Sequence, residues 1–207
     1  MSKPIIVIIA SVLIVLLGYS ILSNKANVAQ VSNMQEQASR NSVSLKPSGE
    51  CSGTPIPSLT EGPYYKSGSP ETKNIKEGSE GESMTLTGFV FDTDCKPIAG
   101  AWIDFWQADE NGNYDLAGYK FRGHQLTDKN GFYTLETIVP PPYSGRTPHI
   151  HFKIRANENS PIITSQLFLP GEEQNQTDSI FNDALIMKVS DVEGEKQATF
   201  NFVVTAN

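Results

Sequence analysis

Short segments that alternate apolar and polar residues, each ended by Gly, Pro, Asp or Asn, follow one another from about residue 84 to the C-terminus. A period of two is typical of strands that bury one face, and turn residues at this spacing predict many short strands. One helical turn is predicted at 177–185, with Thr177 or Asp178 as its cap. The pattern favours a β-sandwich or a β-barrel. The predicted strands are 84–91, 101–107, 123–127, 132–138, 149–155, 162–169 and 199–205.

Two local patterns give further expectations about the strands. Asp128-Lys129-Asn130-Gly131 stands between the third and fourth predicted strands. Turn residues of this kind between two short strands are a hairpin signal, so we expect these strands to pair. Trp102 and Trp106 lie at even spacing on the second strand, so they share one face, which we expect to be the core.

The first part of the chain differs from the rest. Lys3 precedes an apolar run over residues 4–22, long enough for a transmembrane helix and compatible with a signal-peptide core. Because no Ala-x-Ala cleavage site follows, we expect a signal anchor at 1–23, with a cleaved signal peptide as the alternative. Residues 24–50 are polar and lack aromatic side chains, which predicts a flexible linker. The folded domain is expected at 51–207, outside the cytoplasm and held at the membrane by an apolar helix.

The overall charge of the chain restricts its partners. The net charge is -7 at pH 7. No run of Lys and Arg forms the basic stripe that nucleic-acid-binding proteins present to phosphates. We therefore expect no nucleic-acid partner.

Both cysteines of the chain, Cys51 and Cys95, fall in the expected domain. In an exported protein two cysteines usually form a disulfide, which here would tie the start of the domain to its body. Two free thiols are the alternative. A cysteine-based metal site is disfavoured, because neither cysteine has a second one nearby.

His149 and His151, two of the three histidines, are separated by one residue in a predicted strand. Their side chains would point to the same face and offer a metal two neutral nitrogen donors, although a chance pair on an exposed strand is the alternative. Tyr114 and Tyr143 could add two phenolate oxygens, a donor set that selects Fe(III) over Zn(II) or Cu(II). Spacing does not single out these two among seven tyrosines. A copper enzyme that uses the histidine pair is a further alternative.

Several motifs stand in order along the chain. They are Thr60–Tyr65, Gly88–Asp92, Trp106–Tyr114, Thr127–Gly131, Pro142-Tyr143, Arg146–Phe152, which is the most diagnostic, and Thr164–Phe168. Together they resemble the motifs of intradiol ring-cleaving dioxygenases, the non-haem Fe(III) family of catechol and protocatechuate dioxygenases. The resemblance spans about residues 55 to 170. It implies an all-β fold, a β-sandwich of mostly antiparallel short strands, with the N-terminal apolar helix outside the domain.

The resemblance implies roles for six residues. Arg146 would stabilise negative charge on the substrate ring, and Gln166 would lie near the metal and the substrate. Tyr143 would be an axial phenolate that leaves the metal when the substrate binds. The implied Fe(III) ligands are Tyr114, Tyr143, His149 and His151.

The activity that the resemblance implies is Fe(III)-dependent cleavage of a catechol-type ring by O2. The product would be a cis,cis-muconate-type dicarboxylic acid, and no nicotinamide or flavin would be needed. The loop from Ser144 to Pro148 is shorter than in intracellular relatives, which suggests a more open pocket and leaves the particular catechol undetermined. An exported module that only binds aromatic ligands is the alternative function. His124 is interpreted as a surface strand residue, with a role behind the metal ligands as the alternative.

Overall fold

The computed structural model describes residues 50–76 and 78–206. The predicted signal anchor at 1–23 lies outside these residues, as does the predicted linker at 24–50 except for Glu50. Within the described ranges, no helix is both long and apolar enough to span a membrane.

Nine strands and two short 3₁₀ helices, Glu173–Gln176 and Asp183–Leu185, make up the regular structure of the described residues. The strands are β1 (Ser83–Phe91), β2 (Trp102–Trp106), β3 (Arg122–Leu126), β4 (Phe132–Ile138), β5 (His149–Arg155), β6 (Ile163–Phe168), β7 (Lys188–Val192), β8 (Glu195–Thr199) and β9 (Phe202–Val203). One sheet has the order β3-β2-β5-β6, and the other has the order β4-β1-β8-β7 with β9 beside β1. Only the β1–β8 and β1–β9 pairs are parallel. The predicted all-β fold of mostly antiparallel strands is confirmed for the described residues.

The two sheets face each other across one hydrophobic core, to which β5 contributes every second residue. Ile150 and Phe152 are fully buried in this core, and Phe152 packs on Phe202 of the opposite sheet with ring centroids 4.7 Å apart. Because strand side chains alternate, His149 and His151 lie on the outer face of the four-stranded sheet. The histidine pair is therefore carried by an element that the core holds rigid.

The predicted hairpin at 128–131 is wrong, although the turn itself forms. Asp128 Oδ1 accepts hydrogen bonds from the backbone N–H groups of Asn130 and Phe132, and Gly131 has a φ of 76°, as turn chemistry requires. However, β3 pairs with β2, whereas β4 pairs with β1 in the other sheet. The turn residues specify a chain reversal, but the partner of each strand is decided by the face that it buries.

The predicted strand at 199–205 is interrupted at Phe200 and Asn201. A β-carbon on Gly88 of β1 would lie 1.8 Å from the Phe200 carbonyl oxygen, so this close approach requires glycine. The Asn201 side chain accepts a hydrogen bond from the Phe89 N–H group. Strand β1 thereby exchanges one parallel partner, β8, for the next, β9.

The predicted helical turn at 177–185 is also wrong in extent, because one 3₁₀ helix, Glu173–Gln176, ends before it and the other, Asp183–Leu185, covers only its last three residues. Asp178 does cap a turn, since its Oδ1 accepts a hydrogen bond of 2.9 Å from the Ile180 N–H group. The β7–β8 hairpin was not predicted. Most residues of β7 are exposed, so this edge strand lacks the apolar alternation that marks a half-buried strand.

Residues 56–75, which we call the strap, cross the outer face of the four-stranded sheet. At one edge of this sheet the Leu59 N–H group donates to the Thr164 carbonyl on β6 over 2.9 Å. At the other edge the Thr72 N–H group donates to the His124 carbonyl on β3, also over 2.9 Å. The strap therefore covers the face that carries the histidine pair.

The predicted disulfide between Cys51 and Cys95 is present, with a Cα–Cα distance of 5.7 Å. Cys51 packs against a second, small hydrophobic cluster formed by Phe89, Phe91 and Val203. Because Cys95 lies in the turn after β1, the bond fixes the start of the described domain beside that strand.

Candidate metal centre

The histidine pair on β5 directs two ring nitrogens at one point. The Nε2 atoms of His149 and His151 lie 3.0 Å apart, and both residues are buried. His149 Nδ1 lies 2.6 Å from the Thr147 carbonyl oxygen, which can only accept, so the proton of this imidazole is on Nδ1. Its Nε2 therefore presents a lone pair, as a metal ligand must.

Tyr114 brings a phenol oxygen to the same point from the loop between β2 and β3. Its hydroxyl lies 3.1 Å from His151 Nε2. The loop is fixed on both sides of the tyrosine. Asp109 Oδ1 accepts the N–H group of Asn113 before it, and Arg122 Nε donates to the Asp115 carbonyl after it over 3.0 Å. Tyr114 is thus held by the sheet through its neighbours.

Tyr143 reaches the site from a tight turn that precedes β5. Ser144 and Gly145 have φ angles of 48° and 75°, and the Arg146 N–H group donates to the Tyr143 carbonyl over 2.8 Å. Two successive residues with positive φ are typical of a type I′ turn. The Tyr143 ring lies 5.3 Å from the ring of Tyr114 and 5.6 Å from that of His149. The structure therefore brings together all four residues that the sequence suggested as ligands.

Burial sets the protonation of these four side chains. Burial lowers the pKa of His149 from 6.5 to about 4 and that of His151 well below its usual value. Burial also raises the pKa of Tyr143, and burial together with the neighbouring Tyr143 raises that of Tyr114. At neutral pH both imidazoles are neutral and both phenols keep their protons until a cation displaces them.

The donor set fits a hard trivalent metal such as Fe(III). Two nitrogens that bind one metal at a right angle with bonds of about 2.1 Å lie about 3.0 Å apart, which matches the separation of the two Nε2 atoms. Among the described residues, no group of three or more His, Cys, Asp or Glu side chains could hold a metal. A metal at this point would therefore need the phenol oxygens, and phenolates favour Fe(III).

Arg146 and Gln166 lie together beside the tyrosine turn. Arg146 Nη2 donates to Gln166 Oε1 over 2.7 Å, and Gln166 Nε2 donates to the Thr60 carbonyl of the strap over 3.2 Å. Arg146 Nε donates to Asp178 Oδ2 over 2.7 Å. Burial alone would raise the pKa of Asp178, but hydrogen bonds from Ile180 and Arg146 hold that pKa below its usual value. The guanidinium is therefore fixed by a charged partner and an amide.

The strap forms the roof of the centre. A β-carbon on Gly62 would lie 3.6 Å from His151 Cε1. The Tyr64 ring stacks on Tyr114 with centroids 4.5 Å apart and an interplanar angle of 12°, and it meets Tyr143 edge-on. An ion pair between Glu61 and Lys153 of β5 anchors this part of the strap.

Sequence reasoning missed two residues of this site. Tyr64 belongs to the Thr60–Tyr65 motif, which could have signalled its presence at the candidate centre. Asp178 had no local signal, because it lies 32 residues from Arg146 in the chain.

The structure corrects the expectation for Trp102 and Trp106 and the expectation for His124. Trp102 and Trp106 share a face, but it is the outer face of the sheet and not the core between the sheets. Trp106 is buried there because the ring of His151 stacks on it at 4.8 Å and Tyr65 of the strap covers it.

His124 is not a free surface residue, since its Nδ1 lies 2.8 Å from the Ser69 carbonyl oxygen of the strap.

Comparison with known proteins agrees with this arrangement. A family model described as Dioxygenase matches residues 60–206, which is more than half of the chain and includes every residue of the candidate centre. The chain belongs to the intradiol ring-cleaving dioxygenase family.

Three relatives illustrate the similarity. A chlorocatechol 1,2-dioxygenase of Rhodococcus opacus is 30% identical, and the match covers 72% of each chain. A hydroxyquinol 1,2-dioxygenase of Nocardioides simplex is also 30% identical, over 66% of this chain but only 56% of that protein. The solved dioxygenase domain of a dioxygenase–carbohydrate-binding fusion from Streptomyces sp. SirexAA-E is 44% identical. It has a TM-score of 0.72, over 74% of this chain and all of that one.

Proposed function

We propose that this domain binds Fe(III) and uses O2 to cleave catechol-type rings between the two hydroxyl-bearing carbons, giving a cis,cis-muconate-type dicarboxylic acid. The observation that carries the proposal is the meeting of two neutral imidazole nitrogens and a phenol oxygen, 3.0 and 3.1 Å apart in succession, beside a second phenol. Family membership and the names of the relatives support the same activity. The proposed ligands are Tyr114, Tyr143, His149 and His151.

The two tyrosines have different roles in this proposal. Bound Fe(III) would chelate a catechol dianion and draw electron density from its ring, which prepares the ring for reaction with O2. Tyr143 is carried by a turn whose central residues, Ser144 and Gly145, are exposed, so it is the ligand freer to move. Its phenolate would accept one of the two protons that the incoming catechol loses, and the other would pass to solvent. Tyr114, held through Asp115, would stay in place.

Arg146 would stabilise the negative charge that develops on the substrate ring. Its Nε and Nη2 are already held by Asp178 and Gln166, so the guanidinium need not reorient during the reaction. Preorganised charge of this kind is an efficient way to stabilise a transition state. Gln166 would keep the arginine in position and connect it to the strap.

We also propose that the domain works outside the cytoplasm, held at a membrane by residues 4–22. The apolar run in the sequence supports an anchor. The disulfide between Cys51 and Cys95 supports an oxidising compartment, where such bonds persist.

The test is to purify the domain, measure its metal content, and follow O2 uptake and product formation with catechol and with hydroxyquinol. We expect about one iron per chain, O2 consumption and a ring-opened dicarboxylic acid. His149→Ala should lose both the iron and the activity. Copper or zinc in place of iron would contradict the proposal, and aromatic binding without O2 uptake would favour the binding module.

A further inference from the structure

Asp178 makes several hydrogen bonds at this site, although no sequence pattern connected it with the site. Its side chain is only 1% exposed, compared with 19% for its partner Arg146. Besides the bond from Arg146 Nε, Asp178 Oδ2 accepts the backbone N–H group of Thr147 over 3.0 Å. A single carboxylate oxygen thus holds both the guanidinium and the following peptide.

Thr147 itself contacts one of the proposed metal ligands. The Thr147 carbonyl accepts the hydrogen bond from His149 Nδ1, which fixes the tautomer that directs Nε2 to the metal point. The Thr147 hydroxyl is held as well, by Asn175 Oδ1 over 2.6 Å. Asp178 and Asn175 therefore act as a clamp, formed by the segment around the first 3₁₀ helix, that closes on Arg146 and Thr147.

The clamp also determines which part of Arg146 is left for a substrate. Nε is bonded to Asp178, and Nη2 is bonded to Gln166. Within the described part of the chain, these are the hydrogen-bond partners found for the guanidinium, so both N–H groups of Nη1 and the second N–H group of Nη2 remain to meet a ligand. A charged acceptor on Nε holds the plane of the guanidinium more strongly than a neutral one.

We propose that Asp178 is a positioning residue of the dioxygenase, which aligns Arg146 with the substrate ring and braces the Thr147 carbonyl that orients His149. This inference rests on the proposed function, because it assigns Asp178 to the same reaction. Asp178 itself would touch neither the metal nor the substrate.

The test compares Asp178→Asn with the wild-type protein and with Asp183→Asn, a matched change at an exposed carboxylate five positions along the chain. A misaligned arginine weakens stabilisation of the transition state more than binding of the ground state. We expect kcat to fall about 10- to 100-fold in Asp178→Asn, the effect of weakening one hydrogen bond to a charged group. KM should change much less, and iron should be retained. Asp183→Asn should behave as the wild type. An unchanged kcat in Asp178→Asn would overturn the inference.

Two further measurements protect the test against a variant that folds poorly. Asp178→Glu keeps the charge, so it should be several-fold faster than Asp178→Asn, and equal rates would overturn the role of the charge. In iron-free protein, the NMR signal of the Arg146 Nε–H group should shift and exchange faster with water in Asp178→Asn, and an unchanged signal would show that the clamp does not hold Arg146. Failure of the proposed function would appear in the wild type, which would bind no iron. Failure of this inference would appear only in the comparison of variants.

Discussion

Replacing His149 with glutamine should reduce the amount of unfolding free energy that the iron-free domain loses as the pH falls. Burial lowers the pKa of His149 from 6.5 to about 4 in the folded protein, whereas the unfolded chain has the ordinary value. Below pH 6.5 the unfolded state therefore gains a proton that the folded state does not take up until about pH 4. Stability should fall as the pH falls through this window and should be unaffected by His149 above it.

The size of the effect follows from the same two values. The difference between 6.5 and about 4, at about 1.4 kcal/mol for each pH unit, amounts to roughly 3 kcal/mol of unfolding free energy. Whole domains typically have an unfolding free energy of about 5–15 kcal/mol, so the loss would be about a third of the total stability. The pKa of the neighbouring His151 is lowered too. The His149→Gln variant should therefore still lose some unfolding free energy as the pH falls.

The assay is equilibrium urea unfolding of the iron-free domain at several pH values between 7 and about 4.5, followed by tryptophan fluorescence. The wild type should lose clearly more unfolding free energy across this range than His149→Gln does. Parallel profiles for the two proteins would refute the claim that His149 is buried in its neutral form.

Three further predictions test other parts of the account. Tyr143→Phe should keep iron but turn over more slowly and release one proton fewer per iron bound, which a pH-indicator titration measures; equal proton release would exclude Tyr143 as a ligand. Reduction of the disulfide, whose cysteines are 44 residues apart, should cost about 4 kcal/mol of unfolding free energy, and urea unfolding with and without dithiothreitol would show whether it does. Gly88→Ala should destabilise the domain by more than about 3 kcal/mol, because its β-carbon would overlap the Phe200 carbonyl. Gly145→Ala, with open space around it, should cost only about 1 kcal/mol, and similar losses in both variants would contradict the β8–β9 break.

The parts of the fold that the sequence predicted are those that local patterns determine. Strand β5 was predicted over its full length, His149–Arg155, because polar and apolar residues alternate along it. The turn at Asp128–Gly131 was predicted for its chemistry, but the pairing of its strands was not, because turn residues carry no information about the sheet that each strand joins. The β7–β8 hairpin lacked a clear apolar alternation, because most residues of β7 are exposed.

The candidate site was predictable to a different extent for each residue. The histidine pair could be found from its spacing alone, since two residues on one strand face need no tertiary information. Tyr114 and Tyr143 lie on loops, where no periodicity marks them, and only the resemblance identified them. Asp178 acts across 32 residues of sequence through a fold that brings its segment against β5, so neither spacing nor motif could reveal it.

The most direct test of the central claim is a visible absorption spectrum of the purified domain, residues 45–207, before and after anaerobic addition of catechol. The account predicts a red-brown band from phenolate-to-Fe(III) charge transfer that shifts when catechol binds, because both the tyrosines and the substrate would donate to the iron. A domain that stays colourless after loading with Fe(III) would contradict the metal assignment and the proposed reaction with it.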